Sequence, residues 1–390
     1  MNKNVLQLLR ARVRDVIPAV TELRRRIHAH PELALQETRT RAAVQQALRG
    51  TGLEVWEPLL GTDFIGELRG AGRGTICLRA DMDALPLEEK TAVPYRSSIP
   101  GRMHACGHDG HTAVLVGACL VLDALREHLP VSVRFVFQPG EELVAAGATL
   151  VQRGACRGAD AAFALHAEPG LPVGCLSARE GTMNAAADVF QVEFVGRGCH
   201  GAMPEKGLNP IPIAADAVAR LYELHKSANG QDGSVVTVCA IRGGTNDNVI
   251  PDAATIQGTV RYLVKERGDE LQASVQSAVT AAAEGTGAEV RISYDRAYGI
   301  PVSNSRRAVR LVRALATENL PAGSWRETPK PSMGAEDFAF YLQGREGAMI
   351  LLGMGEVAPP LHSSAFDFND DALPAGILLL SLIALHADNL

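Results

Sequence analysis

The sequence predicts an α/β fold interrupted by a smaller α+β domain, and three observations lead there. Apolar, strand-like runs alternate with helix-like segments from about residue 39 onwards. That alternation changes character near Gly181 and returns after Tyr298. The chain has 390 residues, and a single hydrophobic core stops growing at about 250–300.

Strands are expected at 65–68, 75–80, 131–138 and 161–166, with helices at 39–49, 111–126 and 142–153. Such alternation implies a parallel or mixed sheet covered by helices, and ligands in such sheets gather beyond the carboxyl ends of strands. From 182 to 295 the expected order is a strand at 188–195, a helix at 209–226, strands at 234–241 and 255–262, a helix at 265–285 and a strand at 289–294. Strand–helix–strand–strand–helix–strand suits a ferredoxin-like α+β sandwich. Apolar strands such as 348–352 follow. The reading is a discontinuous domain, 1–181 and 296–390, with a central mixed sheet flanked by helices, and an inserted domain, 182–295.

Composition narrows the partners. Apolar residues make up 46% and charged residues 21%, the balance of a globular chain. A net charge of −6 with no basic stretch argues against nucleic acid or an acidic membrane. The seven cysteines (77, 106, 119, 156, 175, 199, 239) are odd in number and lack framework spacing, which suits reduced thiols in a cytoplasmic protein. The N-terminus lacks the apolar core of a secretory signal, and no apolar run reaches the roughly 18 residues of a membrane span. The run GILLLSLIALHA, after Asn369-Asp370-Asp371, reads as a capped, buried helix.

Four pieces carry chemistry. HACGHDGH (104–111) holds three histidines, a cysteine and an aspartate. Cys106 and His108, two apart, point to one side if the loop is extended, and a thiolate with an imidazole suits zinc and its first-row neighbours. The motif equally fits a polar loop before a helix. Glu141 and Glu142 follow the apolar strand VSVRFVF; one carboxylate can ligate a metal while the other moves a proton, or both can simply favour a helix N-terminus. His166 ends the strand AAFALH, and His362 lies in a polar loop before the last helix; taken singly, neither is informative. Together these residues place soft and hard ligands around one crevice.

The chain resembles the peptidase M20 family, in particular its amidohydrolase subgroup of hippurate hydrolases, N-acyl amino acid amidohydrolases and auxin-conjugate hydrolases. The resemblance rests on RRRIHAHPELALQE (24–37), LRADMDALPLEE (78–89), MHACGHDGHTA (103–113) and FQPGEE (137–142). It continues in CHGAMPEKGLNPI (199–211), GGTNDNVIPDAATIQGTVR (243–261), MGAEDFAFY (333–341) and LHSSAFDFNDDALPAG (361–376). It implies two divalent metal ions per subunit, zinc first, with manganese, cobalt or nickel as alternatives, bound by Cys106, His108, Glu142, His166 and His362. It implies Glu141 as general base, Asp83 as the group that fixes a histidine ligand, and His200 as a group polarising the scissile carbonyl, in its own or a partner subunit's site. Asn248 and Arg261 would hold the substrate carboxylate, a task that suits the planar fork of arginine. The inserted domain would be a lid that also pairs subunits into a homodimer or tetramer, for which the strand at 189–195 offers an edge and the helix at 210–226 an apolar face. His28, His30, His104 and His111 are read as supporting residues.

Four positions depart from the family pattern: Cys199 in place of glycine, Glu205 in place of histidine, Asn209 in place of aspartate, and the added acid Asp247. The expected reaction is hydrolysis of N-acyl amino acids, with a di- or tripeptidase of the same chemistry as the alternative, for which Asp247 or Glu205 could receive a substrate ammonium.

Overall fold

Residues 3–228 and 233–389 are described by a computed structural model, and residues 1–2, 229–232 and 390 of the two expected domains lie outside the described residues. The backbone divides into two compact units: Met1–Met183 with Val302–Lys330 and Asp337–Leu390, and Asn184–Pro301 with the short segment Pro331–Glu336.

The first unit is built on an eight-stranded sheet in the order Glu54–Val55, Phe64–Leu68, Ser132–Gln138, Thr75–Asp81, Ala161–Pro169, Glu346–Gly355, Leu176–Ala178, Trp325–Glu327. Its centre is parallel: Thr75–Asp81 runs beside both Ser132–Gln138 and Ala161–Pro169, and Glu346–Gly355 beside Ala161–Pro169. Phe64–Leu68 pairs antiparallel with Ser132–Gln138, so the sheet is mixed. Every residue of Ser132–Gln138 is buried, as a strand covered on both faces requires. Helix His108–Ala124 packs between helix Lys3–His28 and helix Leu373–Leu385. Fourteen of its seventeen residues are buried, and an all-round apolar helix needs such a setting. No described helix is long and apolar enough to cross a membrane.

Local differences from the sequence expectations have physical reasons. No element is expected before residue 39, yet helix Lys3–His28 runs through Pro18 and buries Leu9, Val13, Val20, Leu23 and Ile27 along one stripe. The helix expected at 142–153 is two short helices, Glu141–Val144 and Ala146–Gln152, because Ala145 sits in the left-handed region at φ 48°. Asn369 caps the turn Asp370–Ala372 rather than the final helix, accepting the Asp371 N–H.

The second unit has the element order Ala186–Val195, helix Pro210–Ala228, Val235–Gly243, Ala253–Tyr262, helix Arg267–Ala283, Glu289–Tyr298. Its antiparallel sheet runs Val235–Gly243, Ala253–Tyr262, Ala186–Val195, Glu289–Tyr298, the arrangement of a ferredoxin-like sandwich. The expectation that 189–195 exposes an edge is therefore wrong. That strand is interior, hydrogen-bonded to Ala253–Tyr262 and to Glu289–Tyr298, and the edges belong to Val235–Gly243 and Glu289–Tyr298.

Candidate active site

The parallel strands Thr75–Asp81, Ser132–Gln138 and Ala161–Pro169 deliver Asp83, Glu141 with Glu142, and His166 to the carboxyl ends of the first unit's central strands. Two glycines shape the approach. Gly107, at φ 89°, starts helix His108–Ala124, and a Cβ there would lie 3.0 Å from that of Ala167. Gly140, at φ 64°, ends the strand connection, and a Cβ there would lie 2.7 Å from Val144 Cγ2. The left-handed region favours glycine at both positions. Cys106 and His108 thus straddle a helix start instead of sharing an extended loop.

All five expected ligands converge. Cys106 Sγ lies 3.5 Å from His166 Nε2. Glu142 Oε1 lies 3.8 Å from His108 Nε2 and 3.1 Å from His362 Nε2. His362 reaches the site from a left-handed backbone, φ 61°, held by its N–H donating to Ala105 O at 2.8 Å. The groups Cys106/His108/His166, Cys106/Glu142/His362 and His108/Glu141/Glu142 each bring their candidate atoms within 4.8 Å of one another.

Hydrogen bonds fix which nitrogens are free. A carbonyl oxygen only accepts, so His108 donates from Nδ1 to Asp83 O at 2.9 Å, and His166 donates from Nδ1 to Ala167 O at 2.8 Å. Both rings then turn Nε2 towards the site, the way outer partners orient metal ligands. His108 Nε2 is buried and has no hydrogen-bond partner among the described residues. Asp81, His108 and His111 also cluster within 4.8 Å, but His111 is engaged at both nitrogens. Its Nε2 accepts the Ala167 N–H at 2.8 Å, and its Nδ1 donates to Asp81 Oδ1 at 2.7 Å. Arg79 occupies Asp81 Oδ2 at 2.7 Å.

The electrostatics match. Burial opposes the charged form of His108, yet Asp81, Asp83 and Glu142 outweigh it and push the ring up to about 10. Burial pushes the Cys106 thiol well up, and Glu142, Glu141 and Asp81 push it further. Burial likewise lowers His111 to about 4 in spite of Asp81, so it stays neutral. The pocket therefore favours added positive charge at His108 and resists a bare thiolate. A buried, unpartnered imidazole nitrogen beside a thiol, two further imidazoles and a carboxylate fits divalent cations of the zinc group.

Asp83 braces this centre. Its Oδ1 and Oδ2 accept the Glu141 and Glu142 N–H groups, each at 3.0 Å, and Oδ1 lies 3.3 Å from His108 Nδ1. One residue with no role in the sequence reading stands beside it. Glu37 is fully buried and accepts the Gly140 N–H at 2.9 Å. Burial, with the Asp83 charge, pushes its carboxyl up to about 7. Only its place in the motif RRRIHAHPELALQE marked it. Of the other histidines, His28 bridges Asp109 and Glu89, His104 is buried, and His30 is exposed with Nδ1 bonded to Arg26 O.

His200, Asn248 and Arg261 lie in the second unit. Cys199–His200 pairs with Val249–Ile250, and His200 and Asn248 line one cavity with Gly198, Pro251 and Asp252. Arg261 is not at that cavity; it is half-buried near the far end of its strand, opposite Ala187 and Val235, and donates to Thr259 Oγ1 and Val260 O.

The sequence matches the family described as peptidase family M20/M25/M40 over residues 77–386. It is 33% identical to the N-acetylcysteine deacetylase of Bacillus subtilis over 90% of this chain and 92% of that one. It is 32% identical to thermostable carboxypeptidase 1 of Saccharolobus solfataricus, over 99% of this chain and 100% of that one. To the IAA-amino acid hydrolase ILR1-like 5 of Arabidopsis thaliana it is 34% identical, over 98% and 89%. Its fold is similar to that of the Bacillus subtilis YXEP protein, described as a dinuclear metal binding peptidase from the M20 family, at TM-score 0.83 and 30% identity, covering 96% of this chain and 98% of that one. The chain belongs to peptidase family M20/M25/M40 and is a hydrolase of that family.

Proposed function

We propose that the protein hydrolyses the amide bond of N-acyl amino acids, holding two divalent ions on Cys106, His108, Glu142, His166 and His362 and using Glu141 as general base. The observation that carries this reading is the convergence of the His108, His166 and His362 Nε2 atoms on the Cys106 thiol and Glu142, directly beside Glu141. Divalent ions in such a site supply Lewis acidity, polarising the carbonyl and making water acidic enough to attack near neutral pH. Glu141 takes the proton of the attacking water and returns it to the leaving nitrogen. Asp83 keeps the Glu141–Glu142 turn and the His108 ring in register. His200 donates to the developing oxyanion; loss of one such donor commonly lowers rate by ~10²–10³. Asn248 and Arg261 are assigned to the substrate carboxylate on the family resemblance, although Arg261 does not line the cavity that Asn248 shares with His200. Cys106 is a ligand in this scheme, and no acyl-enzyme forms.

The names of the relatives support the substrate class. A deacetylase of N-acetylcysteine, a hydrolase of amino acid conjugates and a carboxypeptidase differ on the acyl side. The first two names each put an amino acid on one side of the bond cut, and that feature is carried over to the present chain. Cys199, Glu205, Asn209 and Asp247 set this chain's own preference among such substrates.

The test is hydrolysis of N-acetyl-L-cysteine, hippurate and a set of dipeptides after reconstitution with zinc, manganese, cobalt or nickel. Turnover of N-acyl amino acids above dipeptides is expected. Turnover of dipeptides alone would replace this reading with a di- or tripeptidase. We also read the second unit as a lid and the homodimer contact, supported by Val189, Ile241 and Tyr222, which are 55%, 52% and 58% exposed. A fully active monomer by light scattering removes the dimer and any role for His200 across subunits.

A further inference from the structure

Three successive backbone N–H groups at the start of helix Glu141–Val144 are taken by two buried carboxylates. Asp83 takes those of Glu141 and Glu142; Glu37, from the connection before helix Thr38–Ala47, takes that of Gly140 at 2.9 Å. Gly140 is the left-handed residue on which the chain turns from the strand into Glu141. Glu37 Oε1 also accepts the Leu35 N–H at 3.0 Å, and Oε2 accepts Thr62 Oγ1 at 3.0 Å. With three donors aimed at it, the carboxylate is held rigidly although it is fully buried. A buried carboxylate is costly unless it is hydrogen-bonded, and this one joins helix Thr38–Ala47, the loop at Thr62 and the Glu141 turn at a single point. Its contact with that turn is the backbone of Gly140, and it belongs to none of the candidate metal-ligand groups among the described residues.

We propose that Glu37 is a positioning residue for the hydrolytic reaction: its hydrogen bond to Gly140 fixes the turn that aims the Glu141 carboxylate, separately from the metal ligands. This rests on Glu141 being the general base. Because the contact is made by an acceptor oxygen, reach matters and charge does not. Gln keeps Oε1 in place, and the Thr62 hydroxyl can rotate to accept from its amide. Asp keeps the charge but withdraws the oxygen by one methylene, and Ala removes it.

The experiment compares Glu37→Gln, Glu37→Asp and Glu37→Ala in the metal-loaded protein. It reads kcat and KM on the N-acyl amino acid turned over fastest in the panel above, metal per chain by elemental analysis, and amide hydrogen exchange of the 138–145 segment. Glu37→Asp and Glu37→Ala are expected to lower kcat by about 10²-fold, the scale of an ångström-level misplacement, with KM and metal content within twofold of wild type. Their 138–145 segment should exchange faster, and Glu37→Gln should restore both kcat and protection. If Glu37→Ala does not fold, the Asp and Gln pair gives the same comparison. Unchanged exchange in Glu37→Asp, a kcat within twofold of wild type, or rate loss in step with metal loss each overturns the proposal. Glu37→Asp in a Glu141→Gln background separates it from the reading it rests on. No further loss is expected there, whereas a full additional loss shows that Glu37 acts elsewhere. A wild-type rate in Glu141→Gln alone defeats the base assignment and the proposal with it, while a collapsed Glu141→Gln beside a fully active Glu37→Asp defeats only the proposal.

Discussion

Asp83 accepts the backbone N–H of Glu141 at 3.0 Å through Oδ1, the same oxygen that lies 3.3 Å from His108 Nδ1. A proposed base and a proposed ligand are thus set by one carboxylate. Asp83→Ala is expected to lower kcat and metal affinity together, by about 10–100-fold each, as loss of an outer partner commonly does. Asp83→Asn, which keeps one acceptor oxygen, should lose less. Steady-state kinetics with metal titration checks both, and an Asp83→Ala protein with wild-type affinity and rate would remove Asp83 from the site.

Adjacent glutamates should separate by function. Glu141→Gln keeps the shape and removes the proton carrier, so turnover should collapse by 10²-fold or more while metal content stays near wild type. Glu142→Gln and Cys106→Ser should instead shed metal, with partial recovery of rate in excess metal. Elemental analysis beside kcat distinguishes the two classes. An acyl adduct on Cys106 in the intact mass spectrum would reverse its assignment as a ligand.

Arg261 is half-buried, and burial lowers its pKa against the raising influence of Asp188. Its assignment to the substrate carboxylate predicts that Arg261→Ala raises KM by 10-fold or more on N-acetyl amino acids, about the 1.5–3 kcal/mol of a charge-assisted hydrogen bond. Matched substrates with an amidated carboxylate should show little change. Equal losses on both would mean that Arg261 supports only its own strand.

His28 gives the protein a pH signature in its folding stability. Burial disfavours its charged form, but Asp109 and Glu89 outweigh burial and raise it from 6.5 to about 9. A folded pKa above the unfolded one means that the native state binds the extra proton. That stabilisation is complete below pH 6.5 and is lost as pH rises through about 9, with a ceiling of roughly 3 kcal/mol. Denaturant midpoints at saturating metal should fall across this window in wild type and fall less in His28→Gln. Parallel curves would show that His28 does not carry the effect.

Much of the first unit could be read from the chain alone because the signals are local. The apolar runs around Val133–Phe137 and Ala161–Leu165 are strands buried on both faces, and a short continuous apolar run, with its length and flanking turn residues, marks such a strand. The break at Ala145 was hidden, since alanine is the best helix former and only the surroundings hold it at φ 48°. They include Asp337, which takes the Gly147 N–H at 2.8 Å from almost two hundred residues away.

The site divides the same way. Residue type, order and family resemblance were enough to nominate Cys106, His108, Glu141, Glu142, His166 and His362, because a metal-ligating chemistry draws on few side chains. Tertiary structure alone decided which histidine nitrogens are free. The family resemblance separates His108 from His111 in role, and the structure supplies the physical reason: an N–H from Ala167 occupies His111 Nε2, while His108 Nε2 has no hydrogen-bond partner among the described residues. It also decided that strand Ala186–Val195 is interior, since strand pairing is non-local and alternation along one strand is silent about its neighbours. And it brought Glu37 to Gly140, 103 residues away in sequence, through a backbone hydrogen bond that carries no side-chain signature at the receiving end.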